Sequence, residues 1–130
     1  MIAPIISPIL VIVLFVLGCL HLLWAFGSTF PCANEQALAR AVVGRRGITR
    51  MPSALSCMVV AFCLFGAAIL AAMLGGYVTL PLPSLVWKGL LILAGLAAGL
   101  VFLGRGVIGI LPAFERSAPE MPFLTLNRRV

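Results

Sequence analysis

The sequence predicts an all-α membrane protein, a polytopic helix bundle with three transmembrane helices. Hydrophobic residues make up 63% of the chain and charged residues only 9%, with a mean hydropathy of +1.24. A soluble domain carries about 25% charged residues, so most of this surface is suited to lipid rather than water. Three runs also reach the roughly 20 apolar residues that a membrane-crossing helix needs. We therefore expect a single transmembrane helical domain over residues 1–130.

The three apolar runs give the approximate bounds of the helices. The first covers roughly residues 5–26, and Pro8 falls in or near its first turn, where proline is tolerated. The second covers roughly residues 54–79 and the third roughly residues 85–111, with Pro112 directly after it. Each run is long enough to cross the bilayer as one helix.

The first run contains a sequence that resembles a lipoprotein cleavage box, Val-Leu-Gly-Cys at residues 16–19. The apolar run continues past Cys19 to Phe26, so cleavage there would leave half of a helix behind. The start of the run also lacks the positive charge that is usual in a signal peptide. We expect the run to stay in the protein as a transmembrane helix.

The basic residues predict the orientation of the chain in the membrane. The formal net charge is +6, and short loops rich in Lys and Arg stay on the cytoplasmic side. We therefore expect the N-terminus outside, the 28–52 loop inside, the uncharged 75–84 turn outside and the 113–130 tail inside. Basic residues that flank membrane spans meet anionic lipid headgroups, and we expect no nucleic-acid partner. The predicted headgroup-binding residues are Arg40, Arg45, Arg46, Arg50, Arg116, Arg128 and Arg129.

Part of the 28–52 loop has the composition of a helix. Ala37, Leu38, Ala41 and Val42 lie on one side if this stretch is helical. That arrangement is typical of a helix at the membrane interface. A solvated loop is the alternative interpretation.

Small residues recur at spacings that favour close contact between helices. Between helices in lipid, small side chains matter because they let the backbones approach. We interpret those of the second and third runs as contacts between these two spans, and contacts between copies of the chain are the alternative. The predicted helix-packing residues are Gly18, Ala67, Ala71, Gly75, Gly95, Gly99 and Gly106.

His21 is the one ionisable residue in the first run apart from the thiol of Cys19, so it is a candidate for a specific role. Ionisable groups inside membrane spans face protein or water and are candidates for function. Trp24 lies three residues later on the same face, and Arg105 lies near the same predicted leaflet in the third run. We predict that His21, Trp24 and Arg105 form one polar cluster. Three roles for His21 stay open: a hydrogen bond between helices, a site for a ligand, quinone headgroup or proton, and an axial ligand to haem or chlorophyll.

The sequence offers no pattern typical of catalysis or metal binding. No acidic residue lies in any of the three runs, so a buried carboxylate–His relay is absent from the pattern. The cysteines form no C-x-x-C pair and have no histidine in metal-ligand spacing. We therefore expect a protein that is not an enzyme and has no cofactor and no metal site. The four cysteines are Cys19, Cys32, Cys57 and Cys63.

Three stretches resemble a bacterial domain-of-unknown-function family of small inner-membrane proteins. They are HLLWAFG at 21–27, ARAVVGRRGITRMPSAL at 39–55 and GRGVIGILPAFERSAPEMPFLTLNRR at 104–129. They carry the family's H-x-x-W-x-x-G, T-R-M-P and R-G-x-x-G patterns, and the resemblance covers nearly the whole chain. The matching positions are His21, Trp24, Gly27, Pro52, Arg105, Gly106, Gly109, Phe123, Leu126, Asn127 and Arg128.

Two departures from the family pattern qualify this resemblance. Asn127 stands where the family usually has Asp, and the family usually continues with a fourth helix beyond the position of Val130. The resemblance therefore implies a location in the bacterial inner membrane, but it implies no reaction. Two expectations stay open for the helix number: either a fourth helix follows position 130, or this member has three helices.

Two classes of function fit these observations. The first is a structural or accessory subunit that packs against itself or against a larger respiratory or photosynthetic membrane complex. The alternative is an inner-leaflet site for a small molecule, quinone or proton around His21, Trp24 and Arg105.

Overall fold

The computed structural model describes residues 3–81 and 83–110, together with Arg116 and Pro119. Within these residues the chain is all-helical, and no strand occurs. The helices are α1 (Ala3–Ala25), α2 (Glu35–Val42), α3 (Ala54–Leu74) and α4 (Ser84–Ile110). By length and composition, α1, α3 and α4 are able to cross a membrane. The predicted fold class of three apolar spans is confirmed.

The second span ends earlier than the sequence predicts, at Leu74 rather than near Thr79. The backbone N–H of Gly75 closes the last turn on the carbonyl of Ala71. Gly76 then takes φ +81°, and Tyr77 donates its N–H back to the carbonyl of Ala72 at 2.9 Å. A glycine in the left-handed region is a common helix terminator because it has no Cβ to clash. The apolar residues after it belong to the turn that leads to α4.

The core of the bundle lies between α1 and α3. The buried residues of α3 are spaced three or four apart and form one face. They are Cys57, Ala61, Leu64, Ala68 and Ala71. On the α1 side, Ser7 and Gly18 are buried.

The absence of a side chain at Gly18 allows α1 to approach α3. A Cβ at this position would lie 2.6 Å from the ring of Phe65 on α3. The same ring also packs against Phe15, with the two ring centroids 5.5 Å apart. Gly18 therefore lies where α1 packs against Phe65 of α3.

The small residues of α3 pack mainly against α1, whereas their spacing predicted contacts with α4. A Cβ on Gly75 would overlap Ser7 of α1, and Ala71 accepts a hydrogen bond from the same serine. On α4, Gly95 alone of the three predicted glycines has a neighbour, since a Cβ there would lie 3.4 Å from Leu74. A Cβ added at Gly99 or Gly106 would meet no atom of another helix or loop within 4 Å among the described residues. The spacing of small residues did not indicate which helices are in contact.

The loop between α1 and α3 contains α2, so the predicted helix in this loop is present. Asn34 caps it, with its side-chain oxygen accepting the N–H of Ala37 at 2.8 Å. Leu38 is 1% exposed and Ala39 is fully buried. The apolar side of α2 is therefore covered by protein rather than left to the membrane interface, and Ala39 extends the face that the sequence predicts.

Several predicted positions lie outside the described residues. These are the end of the third span at Leu111, together with Phe123, Leu126, Asn127, Arg128 and Arg129.

Candidate functional site

His21 lies one turn before the end of α1 and is half-buried. Its ring nitrogen Nδ1 is 2.8 Å from the carbonyl oxygen of Leu17, one turn earlier on the same helix. Because a carbonyl only accepts, Nδ1 carries the proton and donates it. In the neutral ring, the other nitrogen, Nε2, is then a hydrogen-bond acceptor. The helix thus fixes both the tautomer and the orientation of the imidazole.

Trp24 packs beside His21 and ties the end of α1 to the following loop. The two ring centroids are 4.7 Å apart, with the planes tilted by 56°. The indole Nε1–H donates to the carbonyl oxygen of Phe30 at 2.7 Å. Between these points the chain reverses at Gly27, which has φ +86°, a conformation that glycine adopts without strain. This explains why a glycine follows the tryptophan by three residues.

A cavity of about 200 Å³ opens beside these two rings. We call it the His21 cavity. Its walls come from α1, α2, α3 and the segment that leads into α3. The lining residues are His21, Trp24, Val42, Met51, Pro52, Ser56, Cys57 and Val60.

The segment before α3 is held in place by Glu35, at the start of α2. One carboxylate oxygen of Glu35 accepts the backbone N–H of Met51 at 3.0 Å. This contact fixes one wall of the His21 cavity, because Met51 and Pro52 line it. Glu35 was not among the predicted site residues. It is the one acidic residue in a loop with four arginines, and that contrast is the signal in the sequence that points to it.

Ser53 caps the N-terminus of α3, and α3 forms the wall of the His21 cavity opposite α1. Its hydroxyl oxygen accepts the N–H of Ser56 at 3.3 Å and lies 2.9 Å from the Ser56 hydroxyl. This cap places Cys57 in the first turn, with its sulfur 4.0 Å from the carbonyl oxygen of Pro52. Cys57 is buried and lines the cavity, a role that was not predicted from the sequence.

A second, more polar cavity of about 270 Å³ adjoins the first. The two share Trp24, Met51 and Pro52, so these residues form the partition between them. The second cavity adds Ser28, Thr29 and Glu35, among others. A largely apolar space beside His21 therefore lies next to polar surface contributed by the loop.

Arg105 lies on α4 and is exposed. The structure brings His21 and Trp24 together, but the His21 cavity has no lining residue from the described part of α4. Arg105 follows Phe102 by three residues and so shares its helix face. Its membership of the polar cluster stays a prediction.

The His21 cavity combines a few polar atoms with apolar walls. Among the described residues, no three His, Cys, Asp or Glu side chains lie close enough to hold a metal ion. What the site offers is the acceptor Nε2 of His21, the Ser56 hydroxyl, the Cys57 thiol and an aromatic ring. This set can hold a hydrogen-bond donor next to an apolar group.

Residues 14–130 match the family described as "Protein of unknown function (DUF3995)". The chain belongs to this family. The DUF3995 match includes His21, Trp24, the whole loop with α2, and Arg105, so the candidate site lies within the region that defines the family. The chain matches no curated protein and no solved structure. The description of the family names no activity.

Proposed function

We propose that this DUF3995 protein is a multi-pass membrane protein that binds a small molecule in the His21 cavity. The observation that carries the proposal is the imidazole geometry. Nδ1 is committed to Leu17, and Nε2 has no partner among the described residues although His21 lines a cavity. A polar atom in lipid surroundings needs a partner, and a bound donor group supplies it.

The chemistry of the walls favours a ligand with a donor group and an apolar part. A hydroxyl, a protonated carboxyl or a quinol donates to Nε2, while Val42, Val60 and the ring of Trp24 cover an apolar portion. The cavity has no acidic lining residue to act as a general base with His21. We therefore propose binding, in transport or sensing, rather than catalysis.

The experiment that tests this proposal compares two substitutions of His21. In His21→Asn the side-chain amide can still donate to Leu17, but nothing replaces Nε2. In His21→Gln the longer amide reaches the position of Nε2. Each protein is purified from native membranes in mild detergent. Its visible absorption spectrum is recorded, and an organic extract is then analysed by mass spectrometry.

We expect the wild-type extract to contain a small molecule that is lost from His21→Asn and partly kept by His21→Gln. A visible band in the wild-type spectrum identifies the ligand as a haem, a flavin or a pigment. Identical extracts from the wild type and His21→Asn contradict the proposal.

We also propose an orientation for this site. The exposed arginines of the α2 loop, Arg45, Arg46 and Arg50, are basic residues in a short loop, which favours the cytoplasmic side. The His21 cavity then opens at the inner leaflet of a bacterial inner membrane, and anionic headgroups surround it.

A second candidate function is that of an accessory subunit in a larger membrane complex. The observation that favours it is the exposure of α4, in which no residue from Ser84 to Ile108 is buried. Gly99 and Gly106 share a face of α4 and have open space beside them, and close packing of a partner helix needs such space. On this proposal α4 joins the bundle to another membrane protein or to a second copy of the chain.

Co-purification from native membranes tests this second candidate, with Gly99→Leu as the disrupting variant. We expect Gly99→Leu to lose a partner that the wild type retains. Ala94→Leu is a control that adds the same side chain at an exposed position outside this glycine face. If Gly99→Leu co-purifies with the same partners as the wild type, the proposal that this face of α4 binds a partner is contradicted.

A further inference from the structure

The second, more polar cavity, of about 270 Å³, lies where α1 ends, and we call it the Glu35 cavity. Its walls come from the end of α1, the start of α2 and the segment that leads into α3. Within the described part of the chain, Glu35 is the only charged residue that lines it, and Ser28 and Thr29 contribute hydroxyls. The one charge in its walls is therefore negative.

Glu35 has acceptor capacity beyond its contact with the protein. Its Oε1 accepts the backbone N–H of Met51 at 3.0 Å. A carboxylate has about four acceptor sites on its two oxygens, so this bond leaves most of them for other donors. A molecule in the cavity can therefore donate hydrogen bonds to Glu35 without displacing Met51.

The end of α1 adds to the negative character of this cavity. The last carbonyls of a helix lack partners within the helix and form the negative end of its dipole. At the end of α1, Ser28 donates its N–H to the carbonyl of Leu23, and Gly27 donates to that of Trp24, both at 3.0 Å. Ala25 also lines the cavity, and its carbonyl accepts no backbone N–H from the described residues. The end of α1 therefore favours a cation that donates hydrogen bonds.

The position of the Glu35 cavity along α1 indicates a membrane lipid as the source of this cation. Because α1 is long and apolar enough to cross a membrane, its end reaches the depth of the lipid headgroups. Trp24 lines the cavity, and tryptophan is enriched at that depth. Phe26 follows directly and is 78% exposed, so apolar surface adjoins the polar cavity. A phospholipid fits both surfaces because its polar headgroup is joined to apolar chains.

We propose that the Glu35 cavity binds the phosphoethanolamine headgroup of a membrane phospholipid. The primary ammonium donates its three N–H groups to Glu35 and to the end of α1. The phosphate lies toward Arg50, which is exposed and directly precedes Met51 of the cavity wall, since a guanidinium binds phosphate. A carboxylate and a guanidinium at neighbouring points thus match the two opposite charges of one headgroup. This site is separate from the ligand proposed for the His21 cavity and does not rest on it.

Native mass spectrometry of the full chain, released from detergent micelles, tests the proposal. The protein is titrated with phosphatidylethanolamine and, separately, with phosphatidylcholine of the same acyl chains. The choline headgroup carries the same charges, but its trimethylammonium has no N–H to donate. We expect phosphatidylethanolamine to bind about fivefold more tightly, which is the upper range for an ion pair at a protein surface. Equal affinities for the two lipids overturn the proposal.

Glu35→Gln separates the charge of Glu35 from its structural contact. The amide oxygen can still accept the Met51 N–H, and protection of this amide from hydrogen exchange shows whether the wall is intact. We expect the preference for phosphatidylethanolamine over phosphatidylcholine to be lost. Gln36 is exposed and does not line the cavity, so Glu35→Gln combined with Gln36→Glu restores the net charge outside it. This double variant should bind as Glu35→Gln does, and recovery of the wild-type preference overturns the site.

Two neighbouring residues at the start of α3 provide a steric test. Ala54 lines the cavity, whereas Leu55 is 70% exposed and does not line it. Ala54→Phe fills the cavity, so it should weaken the binding of phosphatidylethanolamine about fivefold, to the level of Glu35→Gln. Leu55→Phe places the same ring outside and should bind as the wild type does. Equal binding by both variants overturns the cavity as the place of the headgroup.

The remaining outcomes concern the parts of the ligand. Arg50→Gln should weaken both lipids equally, because both carry the phosphate, and unchanged binding overturns the position assigned to it. If phosphatidylglycerol binds as tightly as phosphatidylethanolamine, the ammonium is overturned. If soluble phosphoethanolamine binds as tightly, the lipid is overturned as its source. His21→Asn should keep the preference for phosphatidylethanolamine even where it loses the ligand of the His21 cavity, so the two proposals fail independently.

Discussion

The hydroxyl of Ser7 donates a 2.5 Å hydrogen bond to the carbonyl oxygen of Ala71, and this bond joins α1 to α3. Ser7 is 5% exposed, and the same carbonyl also accepts the N–H of Gly75 at 3.0 Å. Gly75 leaves the space that the serine occupies, since a Cβ there would lie 2.6 Å from the Cβ of Ser7. A polar side chain and a missing side chain therefore act together to fix the distance between the two helices.

Removing the Ser7 hydroxyl tests how much this bond stabilises the bundle. We expect Ser7→Ala to lower the free energy of unfolding by about 0.5–2 kcal/mol, the range measured for hydrogen bonds between membrane helices. The measurement is unfolding of the purified protein in mixed micelles. Ser84→Ala, at the exposed start of α4, is the control and should leave stability unchanged. Equal stability of Ser7→Ala and wild type would show that the unfolded chain satisfies the hydroxyl equally well.

A pair of glycines in and after α3 isolates the effect of close approach. Gly75 has φ −76°, which any residue adopts, so Gly75→Ala introduces a clash with Ser7 and Tyr77 without backbone strain. We expect a loss of about 1–3 kcal/mol from overpacking. A Cβ added at Gly66 would meet nothing within 4 Å. Gly66→Ala should therefore be neutral or stabilising, because alanine has a higher helix propensity than glycine.

If Gly75→Ala and Gly66→Ala unfold at the same temperature, the predicted destabilisation by a clash at Gly75 is contradicted. That result would mean that α1 moves away from α3 at little energetic cost. Gly18→Ala, which would meet the Phe65 ring at 2.6 Å, tests the same interface near its other end.

The sequence was sufficient for the three spans because each apolar run alone meets the length that the bilayer requires. It was not sufficient for the pairing of α1 with α3. Ala and Gly repeats occur in both α3 and α4, and only the position of Ser7 and Phe65 across the interface decides which repeat is used. A serine in an apolar run gave no signal of a partner 64 residues away.

The site was predictable in part, for a similar reason. His21 and Trp24 could be paired from their spacing along one helix. The cavity beside them depends on α2 and on the Glu35–Met51 contact, which connects residues that no local pattern relates. No role in the cavity was predicted for Cys57, and its place there follows from the Ser53 cap that fixes the start of α3.

Glu35 offers a third prediction, on the wall of the His21 cavity. Glu35→Ala removes the acceptor for the Met51 N–H, so we expect this amide to exchange its hydrogen faster in a hydrogen-exchange experiment. Glu35→Gln keeps a carbonyl oxygen and should stay close to wild type. Ligand retention in the His21 cavity should fall in Glu35→Ala alone. Exchange at Met51 that is unchanged in both variants contradicts this role of the carboxylate.

The orientation of the bundle is the fourth prediction, and single cysteines test it in a background without Cys19, Cys32, Cys57 and Cys63. The α2 loop carries exposed arginines, whereas the turn after α3 carries no charge, so the loop should face the cytoplasm. Arg45→Cys reports on the loop and Thr79→Cys on the turn, and both positions are exposed. In spheroplasts, a membrane-impermeant maleimide should label Thr79→Cys at once and Arg45→Cys only after the membrane is permeabilised.

Thr49→Cys, also exposed, serves as a second loop probe, because removing one arginine of four weakens the signal that orients the loop. If both loop probes are labelled in intact spheroplasts, the orientation is the opposite of the predicted one, and the His21 cavity lies at the outer leaflet.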